Sequence, residues 1–283
     1  MKTAIVTDTN SGISASQAEA MGIHLIPMPF FIGGETYYEG KDISHALFFE
    51  KMADGMEVST SQPAPADILA LWESLLEDHD AVLYFPMTSG LSGSCASAKS
   101  LAREYGGRVL VVDDKRISVT LMQSVRNALT LLAQGKTAEE VRDILEAESY
   151  DSSIYIAVNT LEYLKKSGRV TAAGAAMAAI LSIKPVLQIQ GDKLDAYKKV
   201  RGMNHAKTVL MNALRKDLDT RFKDLEMNVF AGYSGGDPAL GETWLEEVQR
   251  EFPEYEVELI SLPLSICCHT GEGALGVACA KKW

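Results

Sequence analysis

Short apolar runs alternate with amphipathic segments through the first half of the chain. Buried strands are predicted at Thr3–Thr7, Ile23–Met28, Ala81–Phe85 and Arg108–Val112. Each run is compact, β-prone and bounded by charged or turn residues, which is typical of strands covered on both faces. Helices are predicted between them, the longest over Ser118–Gln134. Strands that alternate with helices predict a doubly wound, mainly parallel sheet.

The pattern changes from Ser153 onward. Leu187–Tyr197 contains two strand-like stretches around a Gly-Asp turn, which indicates a β-hairpin. The other predicted elements of this half are strands at Ile154–Val158, Asn228–Tyr233 and Val257–Leu262, and helices at Asn204–Arg215 and Ala239–Glu251. Hairpin and crossover units together predict an α+β domain with a mixed sheet. We therefore expect an α/β protein of two domains, residues 1–152 and 153–283.

Composition narrows the class of protein. The 283 residues are 47% hydrophobic and 23% charged, which is normal for a globular chain with a sizeable core. The net charge of −11 argues against a nucleic-acid partner, which requires clustered Lys and Arg. No apolar stretch reaches transmembrane length, and Asp8 interrupts the first apolar run too early for a signal peptide. We expect a cytoplasmic protein without an integral membrane segment.

Cysteine and histidine spacing excludes two further classes. The four cysteines form no CxxC pair, so adjacent Cys267 and Cys268 are interpreted as small core residues. The five histidines stand apart without the spacing of metal ligands. We expect neither a metal site nor a cofactor.

The most informative stretch is the serine loop, Thr88–Ser94, which lies between a predicted strand and a predicted helix. Hydroxyls and the first N–H groups of a helix there converge on one point, which suits a phosphate or a carboxylate. An ordinary βα turn whose serines cap the helix explains the same residues. The loop alone does not separate these two interpretations.

The motifs of two enzyme classes match this loop only in part or not at all. Gly90-Leu91-Ser92-Gly93-Ser94 matches the G-x-S-x-G nucleophile motif only in part, because Ser94 replaces the final glycine. His269 is the candidate base for a hydrolase that uses Ser92. A nucleotide site is disfavoured, since the chain has no Walker A motif and no G-x-G-x-x-G directly after a strand.

Thr171–Leu181 is predicted as a helix of small residues. Small side chains allow close helix packing, and they also leave room for a long apolar ligand. The candidate tunnel residues are Met28, Phe30, Ile32, Ala176, Met177 and Ile180. Apolar walls with a few hydroxyls at one end are what a fatty acid requires.

Dense positive charge occurs in two places on this acidic chain, Lys165–Arg169 and Lys198–Arg201. A solvated surface explains such runs, and a docking patch for an acidic partner is the more specific interpretation.

Six short motifs fall in order across almost the whole chain. They are Thr7-Asp8, Thr60-Ser61-Gln62-Pro63, Ser89-Gly90-Leu91-Ser92-Gly93, Tyr163-Leu164-Lys165-Lys166-Ser167-Gly168-Arg169, Ile183-Lys184-Pro185 and His269-Thr270-Gly271. Together they resemble the DegV family of bacterial fatty-acid-binding proteins. The resemblance implies a two-domain fold shared with dihydroxyacetone kinases and one fatty acid buried between the domains. It also implies that the chain is not a catalyst. It would present the carboxylate to a separate ATP-dependent fatty-acid kinase, which supplies acyl phosphate for phospholipid synthesis.

The resemblance assigns roles to individual residues. Thr60 and Ser92 would hydrogen-bond the carboxylate, Ser61 and the Gly93 backbone would shape its anchor, and His269 would lie near the head group. Arg169 and Arg201 would face the kinase. Two hydroxyls on different loops can hold one carboxylate without a buried countercharge, whose desolvation is costly.

Two departures from the family pattern bear on this site. Cys95 replaces the usual aromatic residue after the serine loop, and Glu272 replaces a proline beside the expected carboxylate end. An inward-facing Glu272 would disfavour carboxylate binding. The alternatives are a hydrolase or acyl transferase using Ser92 and His269, and a dihydroxyacetone-kinase-like subunit in which a histidine holds a small ketone.

Overall fold

The computed structural model describes residues 2–176 and 183–283. The N-terminal part is built on a four-stranded parallel sheet in the order β2-β1-β6-β7. Its strands are β1 (Thr3–Asp8), β2 (His24–Ile26), β6 (Ala81–Phe85) and β7 (Val109–Val111). This is the predicted parallel sheet, and its strand positions agree with the apolar runs of the sequence.

Helices cover both faces of this sheet. They are α1 (Ala15–Met21), α3 (Pro65–Asp78), α4 (Ser94–Ala102), α5 (Val119–Ala133) and α6 (Ala138–Ala147). Val82 and Tyr84 of β6 pack with Trp72 of α3, whereas Leu83 and Phe85 pack with Leu121 of α5. Because successive strand residues face opposite sides, both sets are buried, which explains why β6 is apolar at every position.

A three-stranded antiparallel sheet interrupts the N-terminal part, in the order β4-β3-β5. Its elements are β3 (Pro29–Ile32), β4 (Glu35–Tyr38), α2 (His45–Ala53) and β5 (Val58–Thr60). Phe30 and Ile32 are fully buried, and they pack with Phe48 and with Leu187 and Leu264 from the second half of the chain. This small sheet therefore shares a core with the C-terminal part.

The C-terminal part is a six-stranded mixed sheet in the order β10-β9-β8-β13-β11-β12. Its strands are β8 (Ser152–Ala157), β9 (Ile183–Ile189), β10 (Leu194–Arg201), β11 (Met227–Tyr233), β12 (Val257–Ser261) and β13 (Leu275–Lys281). Only β11 and β12 pair in parallel, and the other neighbours are antiparallel. The predicted hairpin is present as β9 and β10, and the predicted mixed sheet is confirmed.

The described helices of this part are α7 (Glu162–Ser167), α8 (Ala172–Ala175), α9 (Met203–Asp219), α10 (Pro238–Glu251) and α11 (Leu264–Thr270). Helices α9 and α10 cover one face of the six-stranded sheet, where Leu210 and Trp244 pack on Val229 and Val277. The opposite face is turned toward the N-terminal part. Cys267 and Cys268, predicted as core residues, are buried and unpaired in α11.

Helix α5 lies between the two large sheets. Its Leu121 and Val125 belong to a core that also contains Ile5 of the N-terminal sheet and Phe230 of the C-terminal sheet. On the same helix, Arg126 donates two hydrogen bonds to Glu258, at 2.7 and 2.9 Å. The predicted boundary after residue 152 stays a prediction, since α5 is shared by both sides.

Candidate functional site

The loops that follow β1 and β6 meet at one edge of the N-terminal sheet, as expected for parallel strands. Asp8 ties them together, because its carboxylate accepts hydrogen bonds from the backbone N–H groups of Asn10 (2.9 Å) and Met87 (2.8 Å). Burial raises the pKa of Asp8 to about 6, against the lowering effect of these bonds. Asp8 thereby fixes the position of the serine loop relative to the end of β1.

A cavity of about 450 Å³ lies between this edge and the free face of the six-stranded sheet. The apolar wall contains Met28, Met87, Leu91, Ile117, Val119, Ile154, Ile156, Leu164, Ile189, Leu194, Phe230, Ile260, Leu262, Ile266 and Ala278. The polar lining residues are Asn10, Thr60, Ser61, Gln62, Ser92, Ser118, Arg169, Ser265, His269 and Thr270. The structure thus brings together all five predicted carboxylate-binding residues, Gly93 included, in one cavity wall.

Thr60 and His269 are joined directly although they are 209 residues apart. Thr60 ends β5, His269 lies in the last turn of α11, and Thr60 Oγ1 lies 3.0 Å from His269 Nε2. Within residues 2–176 and 183–283, His269 Nδ1 has no hydrogen-bond partner. Burial, with the nearby Arg169 cation, lowers the pKa of His269 to about 4, so the imidazole is neutral at physiological pH.

The serine loop uses much of its hydrogen-bonding capacity internally. The backbone N–H groups of Leu91 and Ser92 donate to the Thr88 carbonyl, and the Ser94 N–H donates to Ser92 Oγ at 3.2 Å. Gly90 lies against the β9–β10 turn so closely that an added Cβ would stand 1.9 Å from the Asp192 carbonyl oxygen. The loop is therefore a tight βα turn that has Ser92 in the cavity wall, and anion binding by this loop stays a prediction.

The hydrolase alternative requires a hydrogen bond between the nucleophile and its base. His269 instead pairs with Thr60, and Ser92 Oγ accepts from Ser94. Among the described residues, no hydrogen bond joins Ser92 to His269, so the structure does not contain the nucleophile–base contact that this alternative requires.

The predicted tunnel residues divide into three groups. Met28 lines the cavity, whereas Phe30 and Ile32 are fully buried behind the wall in the core of the small sheet. Ala176 is exposed and is not among the lining residues. Met177 and Ile180 lie outside the described residues.

The two departures from the family pattern do not face the cavity. Cys95 is buried with Trp72 and Tyr84 on the outer face of the N-terminal sheet. Glu272 is exposed, and its backbone carbonyl accepts a hydrogen bond from Asn159. Of the two predicted docking residues, Arg169 is exposed yet lines the cavity, and Arg201 is exposed at the end of β10.

Several lining residues were not predicted from the sequence, among them Asn10, Met87, Ile154, Phe230 and Gly232. The alternation of side chains between the two faces of β11 could have predicted on which face Phe230 and Gly232 lie. Val229 and Ala231 face α9 and α10, so the residues between them must face the other side. Nothing in the sequence states that this side borders a cavity.

Across the described ranges, no three His, Cys, Asp or Glu side chains are grouped so that they hold a metal ion. Among the helices of the same ranges, none has both the length and the apolar character needed to cross a membrane.

The depressed pKa of His269 predicts a pH-dependent stability. Between pH 4 and the ordinary pKa of 6.5 the unfolded chain binds a proton that the folded chain does not, so stability falls as pH falls through this window. From pH 7 to 4 we expect the wild type to lose about 3 kcal/mol more than His269→Gln, measured by urea unfolding. Groups such as Asp8 are common to both proteins and cancel. Parallel stability profiles for the two proteins would contradict the assignment.

The fold and the site define a class: an α/β protein with a parallel and a mixed sheet that enclose a cavity lined by apolar side chains together with a smaller set of polar ones. The family model described as "Uncharacterised protein, DegV family" matches residues 2–282. A DegV domain-containing protein of Listeria innocua is 30% identical over 99% of both chains. One of Deinococcus radiodurans is 30% identical over 98% of both. The chain belongs to the DegV family.

Solved structures agree with this membership. A DegV family protein from Thermus thermophilus, described by its fatty-acid binding, superposes with a TM-score of 0.90 at 29% identity and covers 99% of this chain and 100% of its own. A stearic-acid-binding protein from Eubacterium ventriosum has a TM-score of 0.86 at 26% identity, with 98% of both chains covered. The predicted DegV fold is therefore confirmed.

Proposed function

We propose that this protein binds one long-chain fatty acid in the cavity between its two large sheets. The observation that carries the proposal is the composition of the cavity wall, which is mostly apolar and includes Ser92 and the hydrogen-bonded pair Thr60 and His269. Fatty-acid binding by the Thermus thermophilus and Eubacterium ventriosum proteins supports it. The proposal needs no cofactor in this chain.

The apolar wall supplies most of the affinity. Burial of each CH₂ group contributes about 0.8 kcal/mol, so the acyl chain binds through its length rather than through any single residue. The polar groups mainly orient it, because a carboxyl group without hydrogen bonds is costly to bury.

The head group would be held by hydroxyls and a neutral imidazole. Thr60 Oγ1 already contacts His269 Nε2, so a carboxylate between Thr60 and Ser92 meets groups that are positioned before the ligand arrives. Arg169 lines the same cavity, is exposed and acts electrostatically on His269, so it would supply a cation beside the proposed head-group site without being buried. Pre-positioned donors reduce the entropy lost on binding.

Native mass spectrometry of the purified protein tests the proposal. We expect a mass increment of one long-chain fatty acid, recovered by denaturing extraction in a near one-to-one amount. A protein that is free of lipid and stays so after incubation with fatty acids would overturn the proposal and return Ser92 and His269 to consideration as catalytic residues.

We further propose that the bound carboxylate is presented to a separate ATP-dependent fatty-acid kinase, which would place the protein in the cytoplasm. The carboxylate end adjoins exposed Arg169, and Lys165, Lys166 and Arg201 add positive charge to an acidic chain. In the test, the fatty-acid-loaded protein is incubated with such a kinase and ATP. The acyl phosphate that forms is trapped as a hydroxamate and its rate of formation is measured. A rate that Arg201→Glu leaves unchanged would argue against docking through Arg201.

A further inference from the structure

A pair of glycines forms part of the cavity floor. Gly232 of β11 and Gly276 of β13 are direct partners in the antiparallel ladder, and both line the cavity. The next residues in the same row are Ile260 on β12 and Ile156 on β8, which also line it. On this face the row therefore reads isoleucine, glycine, glycine, isoleucine across four strands, and the two isoleucines stand about 14 Å apart.

The backbone does not require glycine at position 232. Its φ lies outside the left-handed region, and a Cβ there would meet Leu262 Cδ2 at 3.6 Å and Ile260 Cγ2 at 3.7 Å, which are ordinary contacts. A glycine inside a strand weakens the strand, because it packs no side chain and loses more entropy on folding. Leu262 and Ile260 border this position, yet an alanine would fit beside them without moving either side chain.

The missing side chain widens the cavity locally. Gly232 keeps accessible surface although its strand lies between β12 and β13, and the neighbouring row of Phe230 and Ala278 closes the floor again. An all-trans saturated chain runs straight past this space and forfeits the dispersion contacts on that side. A chain whose direction changes toward the floor at this point, as a cis double bond makes it do, would regain them.

We propose that the Gly232–Gly276 pair selects an acyl chain bent by a cis double bond over a straight chain of equal length. This inference rests on the proposed fatty-acid function and names its ligand class. Gly276 is the less adaptable member, because a Cβ there would stand 3.3 Å from the Tyr155 carbonyl oxygen. Gly232 is therefore the position at which the selection is tested.

The test compares stearate, oleate and elaidate in competition with a fluorescent fatty acid. These ligands have equal carbon number, and elaidate shares the double bond of oleate without its bend. We expect the wild type to bind oleate at least about fivefold more tightly than the other two, within the range that one methylene-sized mismatch produces. Gly232→Ala is expected to remove most of this preference by weakening oleate alone.

Gly235→Ala is the matched control. It adds the same methyl group three residues further along, outside the cavity wall, where the Cβ meets only the flexible end of Leu240. We expect it to keep the wild-type preference, and thermal unfolding verifies that both variants fold.

The outcomes separate this inference from the function on which it rests. Equal binding of the three ligands by the wild type, or an equal loss of all three in Gly232→Ala, would overturn the selection while fatty-acid binding stands. If the wild type binds none of them, the proposed function itself fails.

Discussion

A Thr60→Ala, Ser92→Ala double variant is expected to bind a fatty acid at least about 100-fold more weakly than the wild type, which corresponds to about 3 kcal/mol. Each hydroxyl donates to a charged carboxylate, and one such hydrogen bond contributes about 1.5–3 kcal/mol. The variant also removes the partner of His269 Nε2 at 3.0 Å, so the imidazole loses its fixed orientation. The measurement is fatty-acid affinity by isothermal titration calorimetry.

Ser100→Ala provides the matched control for this variant. Ser100 is exposed on α4, the helix that directly follows the serine loop, and it does not line the cavity. Its affinity should equal that of the wild type. If the double variant also keeps wild-type affinity, the carboxylate is held elsewhere and the assignment of Thr60 and Ser92 is wrong.

The largest effect on stability is expected for Arg116→Met. Arg116 is only 1% exposed, and its guanidinium donates to Ser124 Oγ (3.1 Å) and to the Glu148 carbonyl (2.9 Å). The nearby Asp114 is equally buried, and its pKa is raised to about 6 by burial although the Arg116 charge opposes the shift. Methionine keeps the volume and removes both the donors and the cation. We expect a loss of about 3 kcal/mol at pH 7, since buried acceptors remain without partners.

The pH dependence identifies the cause. A carboxyl whose folded pKa is raised costs stability as pH rises above its unfolded value of 3.8, and removal of Arg116 raises the pKa of Asp114 further. The loss in Arg116→Met should therefore be smaller at pH 5 than at pH 7, by urea unfolding. When Asp114→Asn is added to Arg116→Met, the loss of stability should become the same at pH 5 and pH 7. Arg103→Met, at an exposed arginine, is the control and should change the stability little. A loss that is independent of pH would contradict the electrostatic account.

The sequence predicted most of the elements because burial on both faces makes strands such as Ala81–Phe85 uniformly apolar. Short or ambiguous segments were harder. Val58–Thr60 is only three residues long and was not predicted as a strand. The pattern of the final glycine-rich segment is typical of neither a strand nor a helix alone, and this segment forms α11 followed by β13.

For the site, the polar residues were predictable and the apolar wall was not. Hydroxyls of the serine loop stand out in a sequence because they interrupt apolar and helical patterns. Phe30 and Phe230 are both buried and apolar, yet one lies in a core and the other lines the cavity. The difference depends on which elements pack on each strand face, and hydrophobicity alone carries no information about that.

Helix α5 has a consequence for how the molecule comes apart. Because its side chains complete the cores of both large sheets, neither sheet keeps a full hydrophobic covering once the other has melted. The two halves of the chain should therefore unfold in one cooperative transition rather than as two independent domains. Residues 1–152 produced without the rest of the chain would therefore lack the partners that the C-terminal sheet supplies to α5.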